Sequence, residues 1–164
     1  MKTRDLVIVA MMAAVLFVVQ VALSFVPNIE LVTLLIIIYS LVIGRKTIFA
    51  IYVFALLEGL FYGFGIWWIM YLYVWTVLYF IVRALRKQQE VLVWSLVGGF
   101  FGLLFGTLCS IPYFFIGGIG AGVAWWVAGL PYDILHGVGN FVVILVLFKP
   151  IHKVVEKLYL AKVT

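Results

Sequence analysis

The chain has 164 residues and a net charge of +5; 68% of its residues are hydrophobic and only 10% are charged. Soluble domains average about 45–50% apolar and about 25% charged residues, so the composition argues against a soluble fold and indicates that lipid is the solvent. The positive charge does not predict a nucleic-acid partner, because the basic residues are spread along the chain at the ends of apolar runs.

The first apolar run extends from Leu6 to Val26 and follows a short charged segment that contains Asp5. At about 20 residues it is longer than the apolar region of a secretory signal peptide. We therefore interpret it as a membrane span that stays in the mature protein.

We predict an all-α integral membrane protein, a bundle of six transmembrane helices that forms a single domain over residues 1–164. The predicted spans cover residues 6–25, 31–43, 47–62, 66–82, 91–115 and 124–148. Glycines, prolines or charged residues separate them, notably Pro27-Asn28, Gly44, the glycine-rich segment 117–122 and Lys149-Pro150.

The basic residues all fall on one side of the membrane if these spans alternate in direction. They are Lys2, Arg4, Arg45, Lys46, Arg83, Arg86, Lys87, Lys149, Lys153, Lys157 and Lys162. Cytoplasmic loops are enriched in Lys and Arg, so the pattern predicts a multi-pass protein of the cell membrane with both termini in the cytoplasm.

The second and third predicted spans are short; at about 13 residues the second extends over roughly 20 Å, against a hydrocarbon core of about 30 Å. A short span among longer ones leaves a recess. We expect the preceding segment, 24–30, to form the mouth or lid of such a recess on the outer side.

Two acids lie inside the predicted spans, Glu58 and Asp133, and Asp133 is followed in the same span by His136 and Asn140. Ionisable groups in a membrane are costly and often mark functional sites. The last three share one helix face, at i, i+3 and i+7, and we expect that face to point into the bundle. Two structural alternatives remain, hydrogen bonding between helices and a protonated Glu58 bonded to a backbone carbonyl.

Aromatic residues are concentrated near the outer ends of the fourth and sixth spans. Trp68, Tyr71 and Trp75 share one face of the fourth span, and Trp125 and Tyr132 lie near the start of the sixth. An aromatic stripe beside a polar cluster suits a ring-bearing ligand. The alternative is an aromatic belt at the membrane interface.

Glycines at positions 98, 102 and 106 recur every four residues in the fifth span. Such spacing favours close contact between helices.

Motifs for catalysis, phosphate binding and metal binding are missing from the sequence. Segment 44–47 is not a phosphate loop, His136 and His152 lie near opposite membrane faces, and no serine has an obvious catalytic partner. We therefore expect no enzyme, no metal and no cofactor. Uphill movement of a solute would need an ion gradient or another protein.

The sequence resembles the substrate-binding S component of energy-coupling factor (ECF) transporters, which import vitamins in prokaryotes. Ala10-Met11-Met12-Ala13-Ala14 fits the family's Ala-x-x-x-Ala docking motif, and segment 25–32 is similar to its first outer loop. The stretch from Ala124 to Phe141, followed by Leu147-Phe148-Lys149-Pro150, is similar to the sixth helix of one subgroup.

The resemblance implies a role for each part of the chain. Ala10 and Ala14 would dock on a transmembrane scaffold subunit that couples to two ATPase subunits. Asn28 and Glu30 would lie on the outer loop near the pocket, and the sixth helix would line it through a further set of residues: Trp125, Asp133, His136 and Asn140. The ligand would be a water-soluble vitamin or its precursor, of cobalamin, pantothenate, pyrimidine or pterin type.

Two other functions stay open from the residues alone. A channel or proton-coupled carrier would use Glu58 and Asp133. An intramembrane enzyme would use Asp133 and His136 as an acid–base pair.

Overall fold

A computed structural model of the chain describes residues 3–161, and all regular structure within that range is helical. The elements are α1 (Thr3–Leu23), α2 (Val32–Val42), a 3-10 turn (Gly44–Lys46), α3 (Thr47–Tyr62), α4 (Ile66–Ala84) and α5 (Val91–Ala161). The first four helices match the predicted boundaries to within three residues. Gly44 and Gly63 lie between consecutive helices, and both have the positive φ angle that glycine adopts easily.

Three of these helices, α1, α4 and α5, are long and apolar enough to cross a membrane, and α2 is apolar but shorter. The protein is therefore all-helical, with several long apolar helices of the kind that membrane proteins contain. The count of six spans stays a prediction.

Helix α2 lies at the centre of the fold. All residues from Val32 to Ser40 are buried, and the helix packs mainly against α4 and α5. A helix that is apolar on every side is stable only when other helices or lipid surround it. The remaining contacts place α1 beside α3, and α3 beside α4.

Helix α5 is a hairpin of two arms, 91–117 and 119–161, joined at Gly118, where φ is 75° and ψ is −175°. The arms run antiparallel, since Trp94 stacks on Phe148 at 6.5 Å between ring centroids. A Cβ atom on Gly102 would lie 2.8 Å from the backbone of Gly137. The glycine repeat of the first arm thus serves contact between the arms.

Two predicted boundaries are wrong. The glycine-rich segment after residue 115 is helical except at Gly118, and the last helix does not end at Lys149-Pro150 but continues to Ala161. At about 1.5 Å per residue the second arm is roughly 60 Å long, about twice the thickness of a bilayer core. Its last turns nevertheless pack on the bundle, because Val155 and Tyr159 contact the hydrophobic core.

The basic residues that the structure describes gather at one end of the bundle. Lys46 lies 2.6 Å from Asp5 and 5.8 Å from the centre of the Tyr159 ring. At that same end, Arg83 donates a hydrogen bond to the carbonyl of Ser40. Lys2 and Lys162, which the charge pattern also includes, lie outside the described residues.

Candidate functional site

A cavity of about 200 Å³ lies at the end of the bundle opposite the basic residues. The loop between α1 and α2 forms one wall, and side chains of α1, α4 and both arms of α5 form the others. Its lining residues are Gln20, Leu23, Ser24, Val26, Pro27, Asn28, Ile29, Glu30, Tyr71, Trp75, Phe105 and His136. The expected recess therefore exists, and segment 24–30 borders it.

Glu30 is the acidic residue of this cavity and is only 8% exposed. Its Oε2 accepts a hydrogen bond from the backbone N–H of Thr33 at 2.8 Å, and its Oε1 lies 3.4 Å from Nε2 of His136. Burial alone would raise the pKa of Glu30. Hydrogen bonds from His136 and Thr33, together with the electrostatic effect of His136, outweigh burial and lower the pKa below its usual 4.5. The carboxylate is thus held in its charged form.

The polar face of the second arm is buried, as its spacing predicts: Asp133, His136 and Asn140 are each at most 5% exposed. The three side chains nevertheless have separate partners. His136 faces Glu30, whereas Asn140 donates to the hydroxyl of Thr33 at 3.2 Å. Asp133 accepts a hydrogen bond from the backbone N–H of Gly106 at 2.9 Å, in the other arm.

Three aromatic rings form the apolar wall of the cavity. Tyr71 and Trp75 lie edge to face at 5.6 Å, and Phe105 lies 5.6 Å from Trp75 and 4.8 Å from the His136 ring. The indole N–H of Trp75 is buried and has no hydrogen-bond partner among the described residues. An unpaired buried donor of this kind costs free energy.

Five of the predicted site residues lie in the cavity wall: Asn28, Glu30, Tyr71, Trp75 and His136. Asn140 is connected to it through Thr33. Whether any of them binds a ligand stays a prediction.

The other predicted residues make contacts elsewhere in the bundle. Trp68 donates to the carbonyl of Ala55, and Trp125 stacks on Tyr113 at 4.9 Å. Tyr132 is exposed, and Asp133 is engaged with the opposite arm. Glu58 is buried in α3, and its Oε1 has no hydrogen-bond partner in the described part of the chain.

Sequence reasoning missed two important residues of the wall, Gln20 and Phe105. The amide of Gln20 lies 3.5 Å from the Tyr71 hydroxyl, at the limit of a hydrogen bond. Gln20 is a lone polar residue inside the apolar run of α1, and that isolation was a usable signal. Phe105 carried no such signal, because apolar residues surround it in the sequence.

The predicted docking residues, Ala10 and Ala14, are both exposed on α1. Within residues 3–161, no three His, Cys, Asp or Glu side chains come together as a metal site.

No family model, curated protein or solved structure matches this chain.

Proposed function

We propose that the chain is the solute-binding membrane subunit of an ATP-driven importer of the ECF type. It would capture a vitamin or vitamin precursor from outside the cell membrane of a prokaryote. A scaffold subunit and two ATPases would supply the energy, since the sequence carries no phosphate loop of its own.

The observation that carries this proposal is the cavity at the end of the bundle that lacks basic residues. Ligand pockets combine an apolar, aromatic lining with a few polar groups that fix orientation. Here Tyr71, Trp75 and Phe105 supply the lining, and the Glu30–His136 pair supplies the polar groups.

The lining favours a small ring-bearing ligand. At about 200 Å³ the cavity is far too small for a corrinoid macrocycle, which makes the cobalamin type the least suitable of the four vitamin classes. The aromatic wall suits a flat ring, and the Glu30 carboxylate suits an amino group or cationic ring. A pyrimidine- or pterin-type compound combines these features.

The exposed face of α1 around Ala10 and Ala14 would meet the scaffold subunit. Small residues allow two helix backbones to approach closely, which is how helices associate in lipid without a hydrophobic driving force. Replacing Ala10 and Ala14 by Leu should abolish co-purification with the scaffold while leaving solute binding intact.

The first experiment is to purify the protein from cells grown in rich medium and identify any bound small molecule by mass spectrometry. A stoichiometric vitamin-like compound that raises Tm on re-addition supports the proposal. An empty protein whose Tm no vitamin shifts contradicts it.

A substitution of Glu30 then tests whether the ligand binds in this cavity. Glu30→Gln should weaken binding by about 10-fold or more, because it removes a charged hydrogen-bonding group. Glu90→Gln is the matched control, since Glu90 is exposed at the other end of the bundle and the change in charge is identical. Equal affinities of the two variants would show that the ligand lies elsewhere.

A second candidate function, a proton-coupled carrier, is favoured by Glu58, a buried acid with an unpartnered oxygen. It predicts proton flux into liposomes on addition of solute, which Glu58→Gln removes.

A further inference from the structure

A second large cavity lies at the basic end of the bundle, remote from the solute cavity, and has a volume of about 690 Å³. Its walls come from the end of α2, the α4–α5 loop, the start of the first arm and the second arm after Phe148. The polar lining consists of Arg86, Gln88, Gln89, Lys149, His152, Lys153 and Glu156.

The cationic side chains of this cavity converge from two elements. Lys149 and Lys153 stand at i and i+4 and therefore share one face of the second arm, and Arg86 approaches from the α4–α5 loop. None of these three cations has an ion-pair partner within residues 3–161. Glu156 is the acid of the lining and lies 3.9 Å from His152.

The floor of the cavity is apolar and aromatic. Trp94 is 1% exposed and stacks on Phe148, which in turn stacks on His152 at 5.4 Å. Leu41 and Val42 of α2 complete this apolar part. The cavity thus has a cationic rim above a hydrophobic base, at the point where the apolar helices give way to charged residues.

We propose that this cavity is a binding site for the phosphate headgroup of an anionic phospholipid. The headgroup phosphate would contact Lys149, Lys153 and Arg86, and the glycerol and upper acyl chain would lie on the floor formed by Trp94 and Phe148. Basic pockets between membrane helices bind phosphate-bearing headgroups in this way. The site is separate from solute capture, so each can fail without the other.

The test is native mass spectrometry of the purified full chain, titrated with phosphatidylglycerol, phosphatidylcholine or inorganic phosphate. One phosphatidylglycerol should bind at saturation, well below the concentration at which phosphatidylcholine binds. Loss of two charged contacts in K149Q/K153Q should weaken this binding about 100-fold, at roughly 10-fold for each contact.

The matched control is R45Q/K157Q, which removes the same charge from exposed residues at the same end that do not line the cavity. It should weaken binding by about 3-fold or less, because salt screens charges that do not touch the ligand. An equal loss in both double variants would reveal only general attraction to an anionic surface and overturn the site. Inorganic phosphate binding as tightly as phosphatidylglycerol would overturn the assignment to a lipid.

Discussion

At the scale of single residues, Glu30 connects the loop, the central helix and the second arm of α5. Its carboxylate accepts the Thr33 N–H near the start of α2, where a negative charge is also favourable to the helix, and it faces His136. One side chain therefore holds the cavity wall together and presents a charge to the cavity.

This role predicts a pH dependence of stability. The pKa of Glu30 in the folded protein lies below its usual 4.5, so its ionised form stabilises the fold at and above that pH. That contribution is lost as pH falls through the folded-state pKa. The amount by which the Tm of the wild type exceeds that of Glu30→Gln should shrink as the pH falls below 4.5. A Tm difference between the two proteins that grows on acidification would contradict a stabilising role for the ionised carboxylate.

Asn28 is a second residue whose identity the backbone demands. Its φ angle of 59° is left-handed, a conformation that asparagine and glycine adopt and β-branched residues avoid. Asn28→Gly should leave Tm almost unchanged, whereas Asn28→Val should cost about 1–2 kcal/mol and distort the loop that borders the cavity. Thermal unfolding of both variants measures the difference, and equal Tm values would refute the strain argument.

At the scale of elements, the two arms of α5 depend on glycine at their contact. A Cβ atom on Gly102 would meet the backbone of Gly137 at 2.8 Å, which cannot move aside as a flexible side chain can. Gly102→Ala should therefore destabilise the protein by about 1–3 kcal/mol. Gly129→Ala is the control, because no atom lies within 4 Å of its added Cβ and alanine favours a helix. If the two variants unfold at the same Tm, the arms do not pack as described.

The elements also show where sequence reasoning succeeds and where it stops. Gly44 and Gly63 lie just after α2 and α3 with a left-handed backbone, and the breaks predicted after the second and third spans coincide with them. Pro150 did not end its helix: an interior proline removes one hydrogen bond and strains the turn before it, and the helix that follows keeps all its other bonds. Val155 and Tyr159 beyond the proline pack against the hydrophobic core, which favours continuation of the helix.

In the candidate site, too, the sequence predicted some features and missed others. Periodicity placed His136 and Asn140 on a buried face, and the family resemblance implied a position for Glu30 near the pocket. The sequence did not reveal that His136 contacts Glu30, 106 positions away. It also did not reveal that Asp133, on the same face as His136, accepts a hydrogen bond from Gly106 instead. These pairings depend on the register between helices. Side-chain packing sets that register, and a local stretch of sequence does not encode it.

At the scale of the whole molecule, the decisive question is whether short α2 crosses the membrane. Its 11 residues span roughly 17 Å, less than the hydrocarbon core of about 30 Å. Residues 32–40 of α2 are nevertheless buried by longer helices, so protein and not lipid surrounds most of its length. If α2 counts as a crossing, three crossings separate the α1–α2 loop from the α4–α5 loop; if it does not, two do.

Cysteine labelling distinguishes these topologies. In a Cys109→Ala background, which removes a native thiol that is 4% exposed, Phe25→Cys and Gln89→Cys place single thiols on the two exposed loops. With α2 as a crossing, a membrane-impermeant maleimide should label Phe25→Cys in intact cells and Gln89→Cys only after permeabilisation. The positive-inside rule gives the same orientation, because Arg86 and Lys87 adjoin Gln89 whereas segment 24–30 has no basic residue. Labelling of both thiols in intact cells would contradict a crossing by α2 and the placement of the solute cavity and the basic cavity on opposite sides of the membrane.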